Sequence, residues 1–168
     1  MGSSARTTSL PVLALALTVA LFAAVPVAMA AEGEITRPEY VERVEPICKS
    51  NTEANSRILK GVKEQVKQDK LVPAGKRFVR ASAALGTAVR KIAAVPQPSA
   101  DAAKLTKWVG YLKNEQSFLQ KIGTALKANQ KGKAQKLAVK LNDNNTDANN
   151  IVISFGFDEC KIDSSRFI

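Results

Sequence analysis

Two cysteines are the side chains of this sequence most able to react with each other. Cys48 and Cys160 are the only cysteines in the chain, and both follow an apolar N-terminal segment. Outside the cytoplasm such a pair is normally oxidised to a disulfide, whereas two cysteines alone make a poor metal site. Their spacing also differs from the Cys-x-x-Cys pattern of redox-active thiols. We therefore predict a structural disulfide, whose closed loop would stabilise the fold by roughly 4 to 5 kcal/mol.

Catalytic chemistry has few candidate residues in this chain. Histidine is absent, which removes the most common general base and the most common metal ligand. Neither a glycine-rich phosphate loop nor a nucleophile motif occurs. The carboxylate pairs Glu42/Glu45 and Asp158/Glu159 stand beside basic residues that should keep them ionised. We predict no enzyme activity, no cofactor and no bound metal.

The first 30 residues have the composition of an export signal. Arg6 is their only charged residue, and an apolar run extends over residues 10–27. Ala28 and Ala30 then form a small-residue cleavage site. An uncleaved membrane anchor is the alternative, because a segment of about 20 residues can span a bilayer. We predict a signal peptide over residues 1–30 and secretion after cleavage near Ala30.

Residues 31–168 would then form a single helical domain. Cleavage leaves 138 of the 168 residues, an ordinary length for one domain. Only one of the 25 basic residues is lost, so 24 basic and 15 acidic residues remain. A chain with this excess of positive charge attracts anionic partners.

Apolar residues recur at three- and four-residue spacing in four stretches, as they do on amphipathic helices. A capping box at Thr36 and Glu39 begins the first stretch, and Pro46 is expected to kink it. The segment 71–75 interrupts the pattern before the second stretch. The four predicted helices run from Thr36 to Val66, from Phe78 to Ile92, from Ser99 to near Gly132, and from Leu137 to Phe155.

Four amphipathic helices with short connections favour an all-α fold, an antiparallel up-down-up-down four-helix bundle. In this topology the start of helix one and the end of helix four lie at the same end of the bundle. The disulfide would join the start of helix one to the segment after helix four. The alternatives are a first helix that breaks at Pro46 and a pair of helices that crosses at a steep angle.

The same topology predicts a basic end, away from the disulfide, where thirteen basic residues face only Glu64 and Asp69. The basic residues of this end are Lys60, Lys63, Lys67, Lys70, Lys76, Arg77, Arg80, Lys121, Lys127, Lys131, Lys133, Lys136 and Lys140. Such a surface attracts polyanions with an affinity that falls as salt rises. Alternatively, the lysines serve only as a soluble helix surface.

The predicted partner is an anionic cell-envelope polymer or a membrane surface. Aromatic residues that would stack on bases are missing from the basic stretches, so we predict no sequence-specific binding of nucleic acid. The candidate polyanion-binding residues are Lys67, Lys76, Arg77, Lys127, Lys131, Lys133, Lys136 and Lys140.

Asparagines interrupt the apolar faces of the first and fourth predicted helices. Asn51 and Asn55 lie on the first, Asn145 and Asn149 on the fourth, and the disulfide would bring the two pairs near each other. Buried amides of this kind more often fix the register of helices than bind a ligand. The alternative function is a carrier that binds a small polar ligand in this asparagine-lined interior.

Two short segments resemble the ends of small secreted helical proteins that are common in actinobacteria. Glu39-Tyr40-Val41, followed by Ile47-Cys48 and by Asn51 and Asn55, is similar to their opening. Phe155-Gly156-Phe157-x-x-Cys160 is similar to their ending. The resemblance implies a disulfide-tied helical domain of uncharacterised function, and it assigns no catalytic or binding residue. The sequence as a whole predicts a secreted, non-enzymatic helical binding or structural module.

Overall fold

The computed structural model describes Gly2 and residues 33–163. Within these residues the helices are α1 (Arg37–Leu59), α2 (Val62–Lys67), α3 (Leu71–Ala93), a 3-10 turn (Ser99–Asp101), α4 (Ala102–Lys127) and α5 (Lys131–Phe155). The described part contains no β-strand, which confirms the all-α prediction. The chain divides into a unit of residues 1–31 and a unit of residues 32–168. Apart from Gly2, the predicted signal peptide lies outside the described residues.

Helix α1 begins at the predicted capping box. The Thr36 hydroxyl accepts the Glu39 backbone N–H, and the Glu39 carboxylate accepts the Thr36 backbone N–H at 2.7 Å. Two amides without partners inside the helix are satisfied in this way. Pro46 lies inside the continuous helix, so the alternative of a break at this proline is not seen.

The first predicted helix breaks instead at Gly61. This residue has φ of 77°, in the left-handed region that glycine adopts most readily. Helix α1 therefore ends at Leu59, and the apolar positions Val62 and Val66 belong to the short helix α2. The periodicity of apolar residues continued across the break, and the glycine was the only local signal of it.

Helix α3 begins at Leu71, earlier than the sequence pattern indicated. Pro73 is tolerated because it lies in the first turn, where a backbone N–H has no partner inside the helix. Gly75 allows α3 to approach α4 closely, since a Cβ atom there would lie 2.6 Å from the carbonyl oxygen of Gly123. The residues that suggested an interruption therefore serve to start and pack a helix.

The connection between α4 and α5 is short. Helix α4 ends at Lys127 and α5 begins at Lys131, so Gly132 lies in the first turn of α5 rather than at the end of α4. Ser99 begins a 3-10 turn and does not cap α4. Gly156 has φ of 75° and ends α5, as predicted.

The main helix contacts follow the order of the chain: α1 packs on α3, α3 on α4, and α4 on α5. Ser82 of α3 donates a hydrogen bond of 2.9 Å to the Gln116 carbonyl of α4. Asn144 of α5 donates one of 3.0 Å to the Tyr111 carbonyl of α4. The largest side chains buried among these helices are Tyr40, Val44, Ile92, Leu105, Trp108, Leu126 and Val152.

The predicted disulfide between Cys48 and Cys160 is confirmed, with sulfur atoms 2.04 Å apart. Its place on the first helix was predicted wrongly. Because α1 extends from Arg37 to Leu59, Cys48 lies at its middle and not at its start. After Gly156 the chain turns back and runs beside α1, so the bond joins the middle of α1 to this returning segment.

Candidate functional site

A cavity of about 320 Å³ lies beside the disulfide. Its walls come from α1, α3, α4 and residues 157–163, which we call the strap. Asn51, Thr52 and Asn55 of α1 and Glu115 of α4 supply polar groups. The apolar part of the wall is formed by Leu85, Ala88, Ile92 and Leu112.

Hydrogen bonds to backbone groups hold the strap in place. Asn149 of α5 accepts the backbone N–H of Ile162 and donates to its carbonyl, both at 2.8 Å. The Glu45 carboxylate of α1 accepts the backbone N–H groups of Asp158 at 2.7 Å and Glu159 at 2.8 Å. Together with the disulfide, these bonds fix the strap between α1 and α5 and give the cavity a defined wall.

Phe157 anchors the beginning of the strap in the protein core. Its ring stacks on Trp108 with centroids 5.3 Å apart and meets Tyr40 edge-on at 6.3 Å. Burial raises the pKa of Tyr40 to about 12, so its hydroxyl stays protonated at physiological pH. This aromatic cluster is one reason for the chain reversal after Gly156, because it buries a large side chain directly behind the turn.

Glu115 differs from the other polar residues of the cavity. It is 9% exposed, and no hydrogen bond or ion pair links its carboxylate to another described residue. Burial raises the pKa of Glu115 to about 8. At pH 7 the carboxyl group is therefore mostly protonated when nothing else lies against it.

Asn55 contributes a second unsatisfied group to the same cavity. The residue is 6% exposed, and its Nδ2 donates to Oδ1 of Asn51 over 3.4 Å. Its own Oδ1 has no hydrogen-bond partner among the described residues. Asn55 of α1 and Glu115 of α4, both with unsatisfied polar groups, thus line the same cavity.

The four asparagines predicted to meet in the interior differ in their contacts. Asn51 and Asn55 line the cavity, whereas Asn145 is buried in α5 beside Asn144. Asn149 binds the strap. No hydrogen bond among the described residues joins the pair on α1 to Asn145 or Asn149.

Glu115 is a candidate site residue that the sequence interpretation missed. It follows Leu112 by three residues and precedes Leu119 by four, so it falls on the apolar stripe of α4. A carboxylate at such a position is a signal of a buried acid, and it could have been found from the sequence alone.

The basic end has its own contacts between helix ends. The Arg77 guanidinium of α3 donates to the backbone carbonyls of Ile58 and Lys60 at the end of α1. Lys131 at the start of α5 donates to the Asp69 carboxylate at 2.5 Å. Gly75 and Gly123 bring the start of α3 against the end of α4. The predicted basic residues are therefore distributed over neighbouring helix ends.

The eight candidate polyanion-binding residues differ in exposure. Arg77 and Lys131 are half-buried and bonded to neighbouring groups. The other six are exposed to solvent, namely Lys67, Lys76, Lys127, Lys133, Lys136 and Lys140.

An apolar groove of about 200 Å³ lies within the basic end. Val62, Val66, Phe78, Ile122, Leu126 and Ala134 are among the apolar residues that line it. Lys63, Lys67 and Lys131 line the same groove. The basic end thus combines positive charge with accessible apolar surface.

The described residues lack two further kinds of feature. No group of three or more His, Cys, Asp or Glu residues in this part could hold a metal ion. None of the helices found there has the length and apolar character needed to cross a membrane. The disulfide is consistent with a location outside the cytoplasm.

Comparison of the chain with protein-family models, curated proteins and solved structures finds no match. The resemblance to secreted actinobacterial proteins stays a prediction. The strap, the cavity and the basic end are therefore the features that bear on the function of the protein.

Proposed function

We propose that this protein is a secreted, non-enzymatic binding module that contacts anionic cell-envelope polymers through its basic end. The observation that carries the proposal is the meeting of helix ends in this region, which gathers thirteen basic residues around Glu64 and Asp69. A surface of this charge attracts polyanions over a distance and releases their counterions on contact.

An antiparallel up-down-up-down arrangement of α1, α3, α4 and α5 accounts for this gathering. Gly75 of α3 lies against Gly123 of α4, and Ser82 lies against Gln116, so residue numbers rise along one helix and fall along the other. The contacts between α1 and α3 and between α4 and α5 support the same reversal. In such a bundle, the segments before α3 and before α5 lie at one end.

Contacts at the opposite end support the same arrangement. Arg37 at the start of α1 forms two hydrogen bonds, of 2.7 and 2.5 Å, with Asp101 just before α4. The Arg37 guanidinium also lies 4.8 Å from the ring centroid of Phe155 at the end of α5. These contacts support an arrangement in which the start of α1, the start of α4 and the end of α5 share one end of the bundle, opposite the basic end.

The apolar groove within the basic end favours an anionic polymer that carries a lipid anchor. Hydrocarbon in this groove would bury apolar surface, while the exposed Lys67 lies beside it for the anionic groups. A fully hydrophilic polyanion would use the lysines alone. The proposed partner is accordingly a polymer at the membrane surface.

Two variants with equal charge test the proposal on a sulfated-polysaccharide column. The first changes four exposed basic-end residues to glutamine, namely Lys127, Lys133, Lys136 and Lys140. The matched control changes four exposed lysines of the rest of the protein, namely Lys91, Lys104, Lys107 and Lys113. Lys131 is left unchanged because it forms an ion pair with Asp69.

The basic-end variant should elute at clearly lower salt than the control variant. Each ionic contact contributes about 0.7 to 0.9 to the slope of log affinity against log salt, so losing four lowers the slope by about 3. The control should keep nearly the slope of the unmodified protein. An equal loss in both variants would show that net charge alone governs retention, and it would contradict the proposal.

A further inference from the structure

The cavity beside the disulfide contains two buried acceptors that no described residue satisfies. Glu115 is 9% exposed and carries an unpartnered carboxyl group, and Asn55 is 6% exposed with an unbonded Oδ1. Buried polar groups in folded proteins normally have hydrogen-bond partners. Both residues line the same cavity, and together they point to a ligand that donates hydrogen bonds.

The charged groups around the cavity favour a positively charged donor. Besides Glu115, the charged residues of the lining all belong to the strap, namely Asp158, Glu159, Lys161 and Asp163. The Lys161 ammonium group lies 3.1 Å from the Asp158 carboxylate, which pairs it locally. Helices α1 and α3 contribute no charged residue to the lining. Glu159 in turn lies 3.9 Å from the ammonium group of Lys49, outside the lining. Among the lining residues themselves the acidic ones outnumber the single basic one, although the whole protein is strongly basic.

The size and the apolar wall limit what such a ligand can be. A volume of about 320 Å³ is at the lower limit of small-molecule sites, which span roughly 300 to 1,000 Å³. Leu85, Ala88, Ile92 and Leu112 would contact a hydrocarbon portion. These features suit a short amphipathic molecule.

We propose that this cavity binds a small primary amine as its ammonium ion. The nitrogen would donate hydrogen bonds to the Glu115 carboxylate and to Oδ1 of Asn55, and the hydrocarbon part would pack on Leu85 and Leu112. An ammonium group has three donors and no acceptor, which matches the unsatisfied acceptors of the cavity. The inference goes beyond the proposed function, because it concerns a different region and a ligand of opposite charge.

Isothermal titration calorimetry of the purified protein with matched ligands tests this site. The probes are 2-phenylethylamine and butylamine, compared with 2-phenylethanol and 1-butanol, which have similar shapes and no charge. Each amine should bind at least about tenfold more tightly than its alcohol, because only the amine makes charge-assisted hydrogen bonds. This comparison uses the unmodified protein and needs no variant.

Two variants with the same chemical change then locate the binding. Glu115→Gln keeps the size of the side chain and removes the anionic counter-ion, so amine affinity should fall about tenfold or more. Glu53→Gln is the control, because Glu53 is exposed on α1 and forms a surface ion pair with Arg57. This control should bind the amines as the unmodified protein does.

Several results would overturn the proposal. They are equal binding of amine and alcohol, unchanged amine binding by the Glu115→Gln variant, and no binding of either amine at about 1 mM. Calcium or magnesium that binds more tightly than the amines and displaces them would assign the cavity to a metal ion instead. If Glu115→Gln does not fold, as judged by circular dichroism, the comparison of amines and alcohols still decides.

Discussion

The strap region and the basic end hold the same helices together in different ways. In the strap region the returning segment is fixed over a cavity by a disulfide, by two hydrogen bonds with Asn149 and by two hydrogen bonds to Glu45. At the basic end the described contacts are non-covalent, and most of the lysines extend into solvent. One region has a defined interior, and the other has a charged exterior.

This difference corresponds to two kinds of ligand. A small molecule requires walls that are already in place, because ordering them on binding would lower the affinity. A repetitive polyanion requires many positive charges at the surface and little exact geometry. The strap region meets the first requirement, and the basic end meets the second.

The largest expected effect comes from removing the disulfide of the strap region. Replacing Cys48 and Cys160 by alanine should lower the free energy of unfolding by about 2 to 5 kcal/mol, since the bond closes a long loop between positions separated by 112 residues. Urea unfolding of the double variant measures this change. The variant with glutamine at Lys127, Lys133, Lys136 and Lys140 is the control, and its stability should change by much less. A loss below about 1 kcal/mol would mean that the strap is held mainly by its hydrogen bonds.

A smaller effect, specific to the cavity, is the pH dependence caused by Glu115. Its pKa in the folded protein is about 8, against a usual value of 4.5. The folded state therefore retains this proton at pH values where the unfolded state has lost it. The stabilisation is complete below pH 4.5 and is lost as the pH rises to 8, so the free energy of unfolding should fall by roughly 4 kcal/mol across this window.

The window from pH 5 to 8 is favourable for this measurement because the chain has no histidine. Hydrogen bonds lower the pKa of three other carboxyl groups, those of Glu34, Glu39 and Asp101. Because these groups titrate below pH 5, they do not contribute to the change within this window. Urea unfolding at several pH values should show the fall in the unmodified protein and a flatter profile for Glu115→Gln. If the free energy of unfolding changes with pH in the same way in both proteins, Glu115 is not the buried carboxyl group that causes the change. The charged residues that line the same cavity as Glu115 are Asp158, Glu159, Lys161 and Asp163, and they are the same in both proteins.

At the basic end, a comparable test is the close approach of α3 and α4. Gly75→Ala would place a Cβ atom 2.6 Å from the Gly123 carbonyl oxygen, so it should destabilise the protein by about 1 to 3 kcal/mol. Gly132→Ala is the matched control, because nothing lies within 4 Å of a Cβ atom at that position in α5. The control should stabilise the protein by up to about 1 kcal/mol. Thermal unfolding should show a lower melting temperature for Gly75→Ala and a higher one for Gly132→Ala. Equal changes in melting temperature would argue against tight packing at this end.

The strap also explains which parts of the fold the sequence could predict. The capping box at Thr36, the stop at Gly156 and the disulfide partner of Cys48 follow from local patterns or from composition. The return of the chain beside α1 depends on burial of Phe157 against Trp108, which is a tertiary contact without a local signal. For this reason the disulfide was predicted at the start of α1 and lies at its middle.

The candidate sites show the same limit. The charges of the basic end could be assigned from their positions on predicted helices, because surface lysines need only the right helix ends. The cavity required knowledge of what lies opposite each polar residue. Asn149 bonds to the strap, and Asn55 shares its cavity with Glu115 rather than with Asn145. Periodicity placed these residues on inward faces without indicating their partners.

The central claim is that the two regions bind ligands of opposite charge, and amide chemical shifts test it most directly. The measurement is a nitrogen-15 NMR titration of the purified protein, first with a sulfated polysaccharide and then with 2-phenylethylamine. The account predicts that the polysaccharide shifts amides within residues 60–80 and 121–140, and that the amine shifts those within 48–55, 112–116 and 157–163. Shifts from both ligands in one region, or polysaccharide shifts spread evenly over the surface, would contradict it.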